Sequence, residues 1–296
     1  MISYNPKEWL SFIFQFHKAD TFRKLFPLII IVGVYTAIIA YLELHYFTFD
    51  KDSALRNISV LHSLLGFALS MLLVFRTNTA YDRWWEGRRQ WGSLNNSSRN
   101  LAIKLDGLLA KNDIANRAFF AAVIGNIAVS LKNHLRHKFI PEEWSNVEGY
   151  SIEQACASKN LPIASINILF KKLIDLKQQG ILNDTHLLLL DNDLRVFSDT
   201  IGACERIKNT PIPFSYSVFL KKFIFLYVMT LPFGYAFTLN WYVVIVVMLI
   251  FYALASLELI AEEIENPFGT DPNDLPLNKL SDGIRSLTTQ ILQDEL

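Results

Sequence analysis

Charge is missing from long parts of this 296-residue chain. No Lys, Arg, Asp or Glu occurs in the 35 residues between Lys222 and Glu258, and residues 25–42 and 57–75 also lack all four. An ordinary soluble domain carries charge more evenly than this. A helix needs about 20 apolar residues to cross a bilayer. The uncharged runs therefore predict a membrane protein.

Several other absences exclude classes of function. There are only two cysteines, Cys156 and Cys204, without metal-ligand spacing, which is typical of unpaired thiols in a reducing compartment. The 28 basic residues balance the 28 acidic ones, so nucleic acid is not an expected partner. No alternating strand pattern and no phosphate-binding loop occurs. Residues 1–24 do not resemble a cleavable signal peptide.

The uncharged runs predict four membrane spans, at 26–45, 57–75, 222–238 and 241–258. The last two come from the 35-residue run, which is too long for one span; Leu231 to Gly234 and then Asn240 to Tyr242 offer a break between them. Basic residues flank the spans on the side of both termini. We therefore expect both termini to be cytoplasmic, in a multi-pass protein of the inner (plasma) membrane.

Five segments follow from these spans. They are a cytosolic N-terminal segment (1–25), the first two transmembrane helices (26–75), a cytosolic helical domain (76–221), the last two transmembrane helices (222–258) and a cytosolic C-terminal segment (259–296). Apolar residues at intervals of three and four predict helices over 116–137, 163–176 and 184–207. The predicted fold class is an all-α membrane protein with four transmembrane helices and a large cytosolic helical domain.

The second span has a regular stripe of large apolar side chains. Phe67, Met71 and Phe75 recur every four residues, with Gly66, Ala68 and Ser70 between them. If several copies surrounded an axis, the stripe would form a narrow neck that gates by expelling water. Packing against lipid or against the protein's own core explains the same spacing.

Three segments carry a resemblance to a known family. The first is FRTNTAYDRWWEGRRQWG at 75–92, in which tryptophans and arginines suit a bilayer exit or buried ion pairs. The others are GACERIKNTPIPF at 202–214 and IENPFGTDPNDLP at 264–276. Together, and in this order, they resemble the bestrophin family in its bacterial branch.

The resemblance implies a pentameric channel with one central pore, four spans per subunit and a cytosolic helical body. It places the neck at Phe67, Met71 and Phe75. It places a second constriction at the cytosolic exit on Thr185, with Ile181 one helical turn earlier on the same face.

A calcium clasp is a further feature of the family. It would use Asn266, Asp271 and Asp274, with Glu263 nearby; calcium gating belongs mainly to the animal members, and no cofactor is required.

The family contains both anion and cation channels. Animal members conduct chloride, whereas some bacterial relatives prefer monovalent cations. Aromatic edges carry partial positive charge and favour anions, and Met71 offers no such edge. We therefore expect Na⁺ and K⁺ to be preferred, with a chloride or anion channel of the same architecture as the alternative.

Two other classes of function compete with a channel. A membrane enzyme would need a metal or nucleophile site, but the carboxylate and histidine spacing of a di-metal bundle is missing, and His134 and His137 are better read as partners of their helix C-terminus. A secondary transporter would show internal repeats and polar groups at mid-membrane, where His62 is the single candidate. The sequence therefore predicts a channel, not an enzyme.

Overall fold

The chain is helical in a computed structural model, which describes residues 21–46, 58–152 and 160–293. Within these ranges no β-strand occurs, and β-type pairing is limited to one isolated bridge between Val147 and Tyr150. The helices are α1 (Thr21–His45), α2 (Ile58–Leu108), α3 (Ile114–Leu135), α4 (Leu161–Gln178), α5 (Asp184–Asn209), α6 (Phe214–Leu239), α7 (Tyr242–Glu265) and α8 (Leu277–Leu292). The predicted all-α fold is confirmed.

Some sequence predictions lie outside the described residues. They concern most of the N-terminal segment (1–20), the loop between the first two spans (47–56), the start of the second span at residue 57, Cys156 and the last three residues.

Two compact units divide the helices. The first contains α1, the part of α2 up to Trp84, α6 and α7; the second contains the rest of α2 with α3, α4, α5 and α8. The segment after α7 is shared, because Asp271–Asn273 belongs to the first unit and Pro267–Thr270 to the second.

The first unit has an apolar core cluster between α1, α2, α6 and α7. Its central residues include Ile29 and Val32 from α1, Leu73 from α2, Val228 from α6 and Val247 from α7. Small residues let the helices approach closely: a Cβ added at Gly33 in α1 would lie 2.8 Å from the Met248 sulfur in α7. This close approach at small residues is typical of helix packing in membranes.

The hairpin of α6 and α7 turns at Asn240 and Trp241, where Asn240 has a positive φ of 49°. This agrees with the predicted spans 222–238 and 241–258. Leu231 to Gly234, the first of the two segments that offered a break, does not end the helix, because Pro232 lies inside α6, which continues to Leu239. Nearby polar groups support the helix around the proline. The Tyr35 hydroxyl donates to the Met229 carbonyl at 3.0 Å. Such local partners make proline tolerable within a membrane helix.

The second predicted span is the first part of a much longer helix. Its predicted end at residue 75 is not a helix end, because α2 runs without interruption for 51 residues to Leu108. No proline or cap-forming turn occurs near Phe75, so the backbone has no reason to leave the helix there.

The second unit is built around α3. This helix is long and apolar enough to span a membrane, but 72% of its apolar window is buried within the protein, against 22–33% for α1, α2, α6 and α7. Its buried charges are paired: Lys132 lies 2.7 Å from Glu143, and Arg117 forms an ion pair with Asp106. A helix that is apolar all round and enclosed by others is a core helix. Its burial leaves little surface for lipid.

The predicted helices of the middle region are confirmed with small changes at their ends. Helices α4 and α5 cover the ranges expected at 163–176 and 184–207, and α3 covers the range expected at 116–137 except its last two residues. Asn160 and Asn183 accept backbone N–H groups at the N-termini of α4 and α5. These caps fix where the helices begin.

Candidate functional site

Helix α2 has two opposite faces within the first unit. The buried face carries Leu69, Leu73, Arg76 and Ala80. The other face carries the predicted neck residues, whose side chains are 68% (Phe67), 46% (Met71) and 57% (Phe75) exposed. The sequence stripe is therefore a surface of the single chain and takes no part in its core.

Such a large exposed apolar stripe is expected to be buried against lipid or against another protein surface. The alternative that these three side chains pack in the chain's own core is excluded by their exposure.

The predicted cytosolic aperture lies at the start of α5 in the second unit. Thr185 is exposed in the first turn of this helix. Ile181 is also exposed, but it lies in the turn between α4 and α5, before the N-cap Asn183. The predicted placement of Ile181 one helical turn earlier on the same face is therefore wrong. Leu188, one turn after Thr185 and 76% exposed, is an apolar residue that sequence reasoning missed.

A buried ion network joins α2 to the end of α7 in the first unit. The Arg76 guanidinium, 1% exposed, donates to Glu265 Oε2 at 2.8 Å and lies 3.4 Å from Glu258 Oε2. Glu265 Oε1 accepts the backbone N–H of Ile212 at 2.7 Å. One arginine thus holds two carboxylates, and one of these also fixes the segment before α6. Arg76 and Glu258 are buried and Glu265 is partly buried, and the three charges are paired, as their desolvation requires.

The next residues of the 75–92 segment continue this network. Arg83 Nε donates to the Glu265 carbonyl at 3.0 Å, and Trp84 Nε1 donates to the Asn273 carbonyl at 3.0 Å. Both contacts lie in the first unit. The tryptophans and arginines of this segment therefore bind the 264–276 segment, which favours the structural interpretation of the pattern over a simple bilayer exit.

Close packing explains two further residues of the 75–92 segment in the second unit. Trp91 is fully buried. A Cβ added at Gly87 would lie 3.0 Å from Phe268 and 3.1 Å from Pro267, so a larger residue would require these neighbours to shift by a few tenths of an ångström. The Pro267 carbonyl in turn accepts the Leu275 N–H at 2.9 Å. These contacts explain why the two sequence segments occur together.

The 202–214 segment forms the end of α5 in the second unit, up to Thr210. Glu205 lies 2.9 Å from His134 and accepts the Asn160 side chain at 2.9 Å. The Lys208 ammonium donates to the Leu135 carbonyl, and burial lowers the pKa of this lysine. Lys208 and His134 thus stabilise the junction between α5 and the end of α3.

Cys204 is buried in α5, and this predicts its reactivity. Burial, with the nearby charges of Glu205 and Glu86, raises the pKa of the thiol to about 12. Because the thiolate is the nucleophile, Cys204 is expected to resist alkylation at pH 8 in the folded protein. In a Cys156→Ser variant, mass spectrometry after iodoacetamide treatment should show no adduct until the chain is unfolded. Rapid alkylation of the folded variant would contradict the buried placement.

Among the residues of the predicted calcium clasp, Glu263 already has partners within the first unit. Glu263 forms an ion pair with Lys24, and its second carboxylate oxygen accepts the Asn273 amide at 2.8 Å. Asn266 is the C-cap of α7. Asp271 belongs to the first unit, and Asp274 is buried in the second. Lys24 therefore already neutralises the Glu263 carboxylate, which a calcium ion would use as a ligand.

No group of three or more His, Cys, Asp or Glu side chains suited to a metal occurs in ranges 21–46, 58–152 and 160–293. The calcium clasp therefore stays a prediction, and we derive no functional step through calcium. His134 pairs with Glu205 and His137 takes a left-handed turn after α3, which is consistent with roles at a helix end.

Polar groups inside the spans are more numerous than the sequence suggested. His62 is buried in α2, and its Nε2 lies 3.1 Å from the Thr230 hydroxyl in α6. Glu43 is buried in α1, and Glu258 in α7 belongs to the Arg76 network. An arginine directly after a span indicates that a carboxylate partner is needed, but the sequence does not identify Glu258 as that partner.

The comparisons with known proteins agree with this architecture. The family model of the bacterial and fungal bestrophin protein matches residues 1–290. A "voltage-dependent anion channel-forming protein" of Nostoc is 39% identical over 221 residues, which are 73% of this chain and 71% of that protein. YneE of Escherichia coli, which has the same descriptive name, is 33% identical over 223 residues, 75% of this chain and 73% of its own.

The fold is also similar to a solved structure. A crystal structure of a bacterial bestrophin homologue from Klebsiella pneumoniae, carrying a point mutation, matches with a TM-score of 0.82 and 26% identity, over 90% of this chain and 98% of that chain. These relatives are channels, which confirms the prediction that the chain is not an enzyme. The chain belongs to the bacterial and fungal bestrophin family and is a bestrophin-like ion channel of the membrane.

Proposed function

We propose that five copies of the chain surround one pore and that α2 of each copy lines its neck. Phe67, Met71 and Phe75 form three stacked apolar rings, and monovalent ions pass when the neck is wet. Rings of apolar side chains gate a pore because water readily leaves a narrow apolar passage, and ions do not cross it without water. The partners of each subunit are thus the other copies of the chain, the lipid bilayer and monovalent ions, and no nucleic acid or cofactor takes part.

The exposed stripe of α2 is the observation that carries this proposal. Three large side chains lie on one line of the helix, and the opposite line is packed into the core of the first unit. A chain working alone would leave this stripe to lipid. Assembly around an axis brings the five stripes together and gives each copy the same contact, as closed symmetry requires.

The proposed topology follows the distribution of basic residues. The spans are α1, the first part of α2, α6 and α7, and the second unit lies in the cytoplasm with both termini. The burial of α3 supports four spans instead of five. An even number of spans places both termini on the same side of the membrane. The proposed location is the inner membrane.

Two selectivities are candidates, and a different observation favours each. The relatives are named anion channel-forming proteins, which favours chloride and other anions. Met71 puts a thioether in place of an aromatic edge in the middle ring, which favours Na⁺ and K⁺.

A recording from purified protein in a planar bilayer under asymmetric KCl tests both the channel and its selectivity. Met71→Phe is expected to move the reversal potential toward that of chloride, because it adds five aromatic edges to the neck. Ile38→Phe on the exposed face of α1 is the matched control and should leave the reversal potential unchanged. Absence of single-channel currents from the wild-type protein would contradict the proposed function, and an unchanged potential in Met71→Phe would remove the middle ring from the selectivity.

A further inference from the structure

The neck stripe of α2 continues into polar residues. An α-helix turns by about 100° per residue. Asn78 and Asp82 follow Met71 by 7 and 11 residues, so both lie within about 20° of its direction around the helix axis. At about 1.5 Å of rise per residue, Asp82 is roughly 10 Å beyond Phe75. The same line of the helix thus carries three apolar residues, then an amide and then a carboxylate.

Asp82 is exposed and unneutralised. Its side chain has no hydrogen bond or ion pair with any other described residue in ranges 21–46, 58–152 and 160–293. The nearest arginines along the helix are directed elsewhere: Arg76 donates to the Glu265 carboxylate, and Arg83 Nε donates to the Glu265 carbonyl. The negative charge of Asp82 therefore remains available to ions on its own face of α2.

The other acids near the described spans are either paired or, like Glu43 in α1, buried. Glu258 and Glu265 are held by Arg76, Glu262 by Lys221, and Glu263 by Lys24. Arg89, which follows Asp82 by seven residues on the same line, forms an ion pair with Glu86. The charges along this helix face are thus paired, and Asp82 is the exception among those described here.

We propose that Asp82 is the residue that makes this channel prefer cations. The inference rests on the proposed function, in which five copies of α2 surround the pore. Five carboxylates then form a ring directly on the cytosolic side of the neck, above a ring of Asn78 amides. A ring of acidic side chains raises the local concentration of cations and repels anions at a pore mouth. This ring adds a preference for cations beside the neck, whose apolar rings act as the gate.

Charge removal at this ring tests the proposal through the K⁺/Cl⁻ permeability ratio, measured from reversal potentials in asymmetric KCl. The wild-type ratio is expected to exceed one and to rise as salt is lowered, because screening weakens. Asp82→Asn is expected to reduce the ratio by about tenfold, since the variant removes five charges from around one path. Asp82→Lys should invert the preference.

Asp282→Asn is the matched control, because Asp282 is an exposed acid of α8 that lies on another helix. It should keep the wild-type ratio, as should the charge-conserving Asp82→Glu. Asp82→Ser is a second neutral variant in case the amide alters assembly.

Each outcome has a distinct meaning. A wild-type channel that prefers chloride, a wild-type ratio independent of salt, or a conducting Asp82→Asn or Asp82→Ser channel with the wild-type ratio would overturn the role of Asp82. A wild-type protein without currents would instead overturn the proposed function itself.

Discussion

Replacing Phe67, Met71 and Phe75 together by alanine is expected to produce a channel that stays open. Alanine leaves a wider passage whose water is not expelled, so the barrier to ions in the closed neck falls. We expect the mean current per channel at fixed voltage to rise by about tenfold, the effect of lowering the barrier by about 1.4 kcal/mol. Single-channel recordings in a planar bilayer would measure the open probability and the conductance separately.

A matched control removes the same amount of apolar surface from another span. Ile31, Val34 and Ile38 form an exposed line on α1. Their triple alanine variant should keep the wild-type open probability. If the α2 triple variant gated like the wild type while the α1 triple variant stayed open, the neck would have to be assigned to another helix.

Loss of the Arg76 side chain is expected to have the largest effect on stability. Arg76→Gln removes the cation between the buried Glu258 carboxylate and the partly buried Glu265 carboxylate and leaves two like charges without it. Breaking a buried ion pair from one side costs about 3–5 kcal/mol. For a chain of this size we expect the Tm of the detergent-solubilised protein to fall by roughly 10 °C. Thermal unfolding followed by circular dichroism would measure the change.

Arg88→Gln is the control for this prediction. Arg88 belongs to the same sequence segment but is exposed, and substitutions at exposed positions usually change stability by less than about 0.5 kcal/mol. A second variant, Glu265→Gln, should also be destabilised because it leaves Arg76 with the more distant Glu258 alone. Equal Tm values for Arg76→Gln and Arg88→Gln would show that the network contributes nothing to stability.

The helices themselves could be predicted from the sequence because their signals are local. The uncharged runs gave α1, α6 and α7 as spans, and the spacing of apolar residues gave α3, α4 and α5. The break between the last two spans was predicted correctly at 239–240, but Pro232, which normally ends a helix in water, also suggested an earlier break that does not occur. In the spans, polar groups of neighbouring helices, such as the Tyr35 hydroxyl, support the helix through the proline.

The contacts between segments could not be predicted from spacing. Arg76 and Glu265 are 189 residues apart, yet their side chains are 2.8 Å apart. Nothing in the local pattern indicates which carboxylate a buried arginine will select, because helix packing decides this. The same applies to Gly87, whose need for a small side chain follows from the distant Phe268 and Pro267.

The candidate pore residues could be predicted only in part. The i+4 stripe at Phe67, Met71 and Phe75 was visible, but spacing alone could not separate an outward face from a core face; the exposure of all three now does. At the aperture, Ile181 was placed on α5 because the N-cap at Asn183 was not recognised. The calcium ligands depended on the family pattern, and Lys24 at Glu263 could not be foreseen from the 264–276 segment.

A structure of the purified protein in lipid nanodiscs, solved by single-particle electron microscopy, tests the central claim most directly. The distance of each α2 side chain from the symmetry axis is the decisive quantity. A five-fold ring in which Phe67, Met71 and Phe75 are the side chains nearest the axis, with Asp82 next along the same path, is the predicted result. A monomeric particle, or a ring in which these three side chains face lipid, would contradict the account.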